Sequence, residues 1–285
     1  MGDPTRVEMK RPLQDPSWVR WTLTVLAVGV LLVLVVIPVL NVFWQALAGG
    51  LRVYWENLVT DRDTRHAILL TLAVAPVAVA LNILFGLAAA WAIARFRFPG
   101  RTILLSLIDL PFAVSPVVAG LMFVLLFGMS GYLGPWLASM GIRVIFAVPG
   151  LIIATTFVTL PFIARELIPL MEALGEDEEL AAMSLGANGW QIFTRITMPN
   201  IQWGLLYGVI LCNARAMGEF GAVSVVSGNV AGATDTMPLR VEKLMMEYNT
   251  PGAFAVASVL TLLAGVTLLV KVAVERKMRE QKKEW

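Results

Sequence analysis

Residues 21–43, from Trp21 to Phe43, contain no charged side chain. A helix of that length crosses roughly 30 Å of hydrocarbon. Further apolar runs follow at about Ala67–Ala94, Thr102–Phe127, Ile145–Ala164, Ile201–Val226 and Ala253–Val270. In lipid every backbone polar group must be satisfied within the segment, so runs of this length are read as helices. The expected architecture is all-α and polytopic, with six transmembrane helices. Composition agrees: 58% of residues are hydrophobic and 15% charged, too few charges for a soluble surface. The first run exceeds the apolar core of a cleaved signal, and no clear small-x-small site follows it at the right place, so it reads as a retained span. Segments 1–20 and 272–285 are read as polar ends flanking a membrane domain over 21–271.

Basic residues orient the six spans. With the N-terminus inside, the inner segments hold Arg6, Lys10, Arg11 and Arg20, then Arg95, Arg97 and Arg101, then Arg165 and Arg195, then Lys271, Arg276, Lys277, Arg279, Lys282 and Lys283. The outer segments hold only Arg52, Arg62, Arg65, Arg143, Arg240 and Lys243. Both termini are therefore expected on the cytoplasmic face of the plasma membrane, with residues 172–200 on the same side.

Several functions are excluded or weakened by what is missing. The sequence has no GxxxxGK[ST] loop, so an ATP requirement would have to be met by another chain. HExxH and GxSxG are also absent. A net charge of +2 leaves no nucleic-acid footprint. One cysteine, Cys212, allows no internal disulfide, and one histidine, His66, allows no multi-histidine metal site. No cofactor or metal is expected, and the chain is not read as an enzyme.

The segment Glu172–Asn200 carries most of the inner polar character. Glu176, Asp177, Glu178 and Glu179 crowd what would be the first turn of a helix, where the backbone dipole favours anions. Leu180 to Leu185 continue it, and Gly186-Ala187-Asn188-Gly189 stops it. Asn188 is placed to cap a second short helix, Trp190–Thr197, whose extent Pro199 is expected to limit. An ordinary solvated loop is the plainer reading of the same residues.

Two spans contain polar groups. Asp109, Pro111, Ser115 and Pro116 interrupt the third, predicting a broken helix that faces protein or a cavity. The fifth carries Asn213, Arg215 and Glu219, and the latter two are four apart on one helix face. A lone charge there costs about 2.5–3.5 kcal/mol on insertion scales, so pairing is expected. The pair reads either as a structural ion pair or as part of a translocation path, and Asp109, nearer the inner end of its span, reads either as a partner of Arg215 or as a snorkelling charge. Ser115 and Ser224 are candidate hydroxyl contacts for an anion, or helix-packing residues.

The spacing Ala181-Ala182, Gly186, Ile196 and Pro199 resembles the cytoplasmic loop of ABC-importer permeases, with Leu180 where that family has Glu and Met198 where it has Leu. The stretches DLPFAVSPVVAGL (109–121) and NARAMGEFGAVSVVSG (213–228) are similar to the sulfate/molybdate branch of it, and Tyr248-Asn249-Thr250 and the run Glu178–Asn200 ending in ITMPN resemble the sulfate/thiosulfate permeases. The resemblance covers about Trp21–Lys271 and implies a MetI-like type I permease domain. It also implies a second, CysT-like permease, two CysA-like ATPase subunits gripping Glu178, Glu179, Ala181, Ala182, Gly186, Ile196 and Pro199, and a periplasmic sulfate- or thiosulfate-binding protein. A molybdate or tungstate permease shares the GEFGA-type stretch. An ion-coupled secondary transporter would instead use Asp109 and Glu219 as carriers, and a non-transporting scaffold would leave the broken third span unexplained.

Overall fold

A computed structural model describes residues 16–281. Among these residues every regular element is a helix. Arg6, Lys10, Arg11, Lys282 and Lys283, counted above for topology, lie outside the described residues.

The chain divides into a unit of residues 1–44 and a unit of residues 45–285. The first holds most of helix α1, Ser17–Leu47, whose last residues fall in the second unit and whose apolar window is entirely unburied. It begins a turn earlier than the expected Trp21. A π-helical stretch, Leu32–Val36, lies just before Pro38, and the Ile37 N–H reaches back to the Leu32 carbonyl.

The second unit contains α2 (Gly50–Trp55), α3 (Arg62–Arg95), α4 (Arg101–Ala113), α5 (Pro116–Phe127), α6 (Gly134–Ser139) and α7 (Val148–Leu174). After these come α8 (Asp177–Ser184), α9 (Gly189–Met217), α10 (Gly221–Ser227), α11 (Met237–Met246) and α12 (Thr250–Gln281). Four helices, α1, α3, α7 and α12, are long and apolar enough to cross a membrane alone. The pairs α4–α5 and α9–α10 each pass the same test together, bent by 110° and 53°. Six spans are reached only by counting each bent pair as one.

The centre is α3 packed along α7, with α9 against both. Small residues permit this approach, as expected where lipid removes the hydrophobic drive between helices. Ala67, Ala75, Ala78, Gly86 and Ala90 of α3 are buried, and an added Cβ at Gly86 would stand 3.0 Å from Ile163. Ile163, Leu167 and Met171 of α7 join Ile93 and Ile201 in one apolar cluster, and Leu151, Ala154, Val223 and Val226 form a second. Between them Asn82 donates to Thr159 Oγ1 (2.8 Å), and Thr159 donates to the Thr155 carbonyl (2.7 Å). Cys212 is buried beside this pair.

Several expected boundaries move. The fourth span starts at Val148 and continues beyond Ala164 to Leu174, because Leu167, Ile168 and Met171 stay buried against α3 and α9. The fifth is not continuous to Val226: it breaks at Gly218–Phe220. The sixth runs past Val270 to Gln281, so most of the expected basic tail is helical. Pro111 sits inside α4 and is buried, and the break falls after it, between Ala113 and Pro116.

Candidate functional site

The loop after α7 has the form helix, hinge, helix. Gly175 (φ +69°) ends α7, and α8 opens with Asp177, Glu178 and Glu179 in its first turn. Gly186 adopts φ +88°, where a side chain is strained, and an added Cβ would meet nothing within 4 Å. Asn188 caps the next helix as expected. Its Oδ1 accepts from the Gln191 N–H, and the Asn188 N–H donates to Gln191 Oε1, both at 2.9 Å.

Pro199 does not limit that helix, which continues from Gly189 to Met217. A proline ring crowds the carbonyl four residues before it and offers no N–H. Here the wider π-helical turn Phe193–Thr197 absorbs the conflict, with the Met198 N–H bonded to the Phe193 carbonyl. The loop is therefore continuous with the span that follows it.

The first helix of the loop is held by an ion pair that spacing could not reveal. Arg95, at the end of α3, contacts Glu179 through Nε–Oε2 (2.9 Å) and Nη2–Oε1 (3.1 Å), and its Nη1 donates to the Met171 carbonyl (2.8 Å). Thr197 Oγ1 donates to Glu179 Oε1 (2.7 Å), and Asn200 Nδ2 donates to Glu178 Oε2 (2.6 Å). Leu180 stands where the resemblance expects Glu, and Glu179 supplies the anchoring carboxylate instead. Arg95 and Glu179 are both largely buried, so this fork is shielded from solvent.

The clamp leaves an apolar surface outward. Leu180, Met183, Leu185 and Trp190 are 52, 59, 90 and 73% exposed. Ala181 and Pro199 are exposed, whereas Ala182 and Ile196 are half-buried beneath them. Trp190 stacks on Phe193, which in turn meets Trp91 of α3 (5.2 Å between ring centres).

The intramembrane candidates form separate groups. Arg215 Nη1 lies 2.6 Å from Glu219 Oε2 as expected, but off the hydrogen-bonding direction. Glu219 Oε1 accepts from the Ala222 N–H (2.9 Å), so the start of α10 is already occupied and is not free for an anion. Asp109 does not reach Arg215; it pairs with Arg165 of α7 (2.7 Å), the residue facing it where α4 packs on α7. Ser115 lies exposed just before α5, and Ser224 Oγ is taken by the Gly221 carbonyl (2.9 Å). The two breaks meet: a Cβ on Gly221 would stand 2.9 Å from Pro116.

A polar knot at the opposite end went unread in the sequence. Arg240 Nη2 donates to Asp61 Oδ2 (2.6 Å), and Lys243 Nζ lies 3.2 Å from the buried Asp235. The Met237 N–H donates to Thr71 Oγ1 (2.8 Å). The Arg240 and Met237 contacts fasten the segment around α11 to α3 and its cap, and the Lys243–Asp235 pair ties that segment to itself. The one signal was the basic pair Arg240 and Lys243 in a polar stretch between two apolar runs, with nothing in sequence to name its partners.

Comparison with known proteins fits this geometry. The chain is 52% identical over 264 residues to "Sulfate transport system permease protein CysW" of Synechocystis sp., covering 93% of this chain and 95% of that protein. It is 41% identical over 219 residues to "Sulfate transport system permease protein CysT" of Escherichia coli K12, covering 77% and 78%. The fold matches a bacterial ABC transporter involved in the import of alginate, with TM-score 0.74 over 93% of this chain and 96% of that one, at 16% identity. The family described as "Binding-protein-dependent transport system inner membrane component" matches residues 82–280, and the chain belongs to it.

Proposed function

We propose that this chain is a permease subunit of an ATP-driven sulfate/thiosulfate importer, coupled to its ATPases through residues 172–200. The observation that carries the coupling is the exposed row Leu180, Met183, Leu185 and Trp190, presented on a short helix that Arg95 and Glu179 lock to α3. A lone solvated loop has no use for so large an apolar surface held so firmly. Two ATPase subunits of the CysA kind would seat it. Because the loop runs unbroken into α9 and follows directly from α7, closure of the ATPases would move two spans at once.

The substrate class rests on the similarity to sulfate permeases over nearly the whole chain, which favours sulfate over molybdate or tungstate. A CysT-like second permease fits because a protein of that name is itself a relative of this chain. A periplasmic binding protein would dock at the end carrying α6 and α11. Both termini and residues 172–200 would then lie in the cytoplasm, in keeping with the basic residues. Use of Asp109 and Glu219 as proton carriers is disfavoured, since each carboxylate is held by an arginine.

Reconstitution with the second permease, the ATPases and the binding protein tests this. ATP hydrolysis should rise on adding sulfate-loaded binding protein, and Leu185→Glu should abolish the rise without preventing insertion. Equal stimulation in that variant would refute the coupling role. Stimulation by molybdate and not by sulfate would refute the substrate.

A further inference from the structure

We infer that Arg165 is an oxyanion-contacting residue on the translocation face, its free guanidinium edge offered to the transported anion and its hold weakened by Asp109. This rests on the sulfate-importer reading above. Arg165 lies within α7, between the buried Ala164 and Leu167, yet its side chain is 56% exposed and that of Asp109 is 42% exposed. Charges at apolar depth do not face hydrocarbon; they face protein or a water-filled cavity. The surface carrying this pair is therefore covered by a second subunit, by water, or by both, as a path between two permeases would be.

The guanidinium is set in place on one edge. Nε donates to Asp109 Oδ1 (2.7 Å), and the guanidinium carbon stands 5.1 Å from the centre of the Phe112 ring, which itself packs edge-on against Phe162. Among the described residues the two terminal nitrogens have no hydrogen-bond partner. A planar fork with fixed orientation and open donors matches two oxygens of a tetrahedral oxyanion. Elsewhere the terminal nitrogens of the largely buried Arg95 donate to Glu179 and Met171 and that of Arg240 donates to Asp61, whereas Arg215 is ion-paired with Glu219 without a directed hydrogen bond. Asp109 touches Arg165 by one oxygen, leaving attraction for an anion while lowering it. Passage requires a contact that is favourable enough to enter and weak enough to leave.

The test uses the complete reconstituted transporter and reads radiolabelled sulfate imported per ATP hydrolysed. The double variant Arg165→Gln/Asp109→Asn keeps a polar pair able to hydrogen-bond but removes both charges, so a purely structural pair should be largely rescued by it. The expected result is normal assembly, binding-protein-stimulated hydrolysis within about twofold, and sulfate per ATP reduced about tenfold or more, the loss of one charge-assisted contact. Wild-type sulfate per ATP in the double variant would overturn the inference and leave the importer reading intact. Failure of the wild-type complex to import sulfate would instead remove that reading. Should the double variant not assemble, Arg165→Lys decides: it keeps the charge and loses the fork, and undiminished import would equally overturn the inference.

Discussion

Two ion pairs show how a single contact can fix an element. Glu179 takes three hydrogen bonds from Arg95 and Thr197, so Glu179→Ala leaves a nearly buried guanidinium without its carboxylate. The expected cost is about 1–3 kcal/mol, felt locally as loosening of α8. Binding-protein-stimulated ATP hydrolysis should fall several-fold, whereas hydrogen exchange in α3 and α7 should stay as in the wild type. At the other end Asp61 lies outside the spans, capping α3. Burial pushes its carboxyl up, but hydrogen bonds from Thr64 and Arg240, the Arg240 charge and the Asp63 N–H together outweigh this and hold it below its ordinary value. A carboxyl lowered in the folded state stabilises the fold above its unfolded pKa, and that contribution disappears as pH falls through the folded value. The melting temperature should therefore decline on acidification below about pH 4. Asp61→Asn should melt lower at neutral pH and show a smaller further decline; an identical acid slope would rule out this contribution.

Among the elements, prolines illustrate how one residue type yields different outcomes. Pro38 and Pro199 each follow a π-helical turn by two residues and stay within continuous helices, whereas Pro116 starts a helix after a sharp bend. Two glycines carry the geometry that matters most. Gly186 has open space and a left-handed φ, so Gly186→Ala costs about 1–2 kcal/mol of backbone strain, not a clash. Its expected signature is weakened coupling with unchanged insertion and a melting temperature lowered by a few degrees at most. Gly120 is the reverse: an added Cβ would lie 2.8 Å from the Ala222 carbonyl oxygen and 2.8 Å from Val225 Cβ. Gly120→Val should force α5 off α10 and lower the melting temperature by an overpacking cost of about 1–3 kcal/mol. No change in melting would mean that these half-helices separate freely.

For the whole molecule the testable quantity is sidedness. In a Cys212→Ala background, a cysteine at the exposed Leu185 should react with a membrane-impermeant maleimide only in inside-out vesicles. One at the exposed Met246 should react only in right-side-out vesicles. Bound ATPase should protect the first and not the second. Reaction of both from one side would overturn the six-span arrangement, in which each bent pair counts as one crossing.

Apolar run length and the order of Gly186 and Asn188 let the sequence alone specify an all-α membrane protein with a hinged loop after its fourth span, whereas the stop expected at Pro199 was absorbed by a π-helical turn. These are properties of short neighbouring segments: an uncharged run must become helix in lipid, and glycine after a helix admits left-handed geometry. Where each charge would find its partner was not determined that way. Arg95 meets Glu179 across 84 positions, Asp109 meets Arg165 across 56, and Arg240 meets Asp61 across 179. Such pairs exist only once α3 is packed with α8 and α11 and α4 with α7, because the low-dielectric interior makes an unpaired charge costly, and packing decides which opposite charge comes within reach.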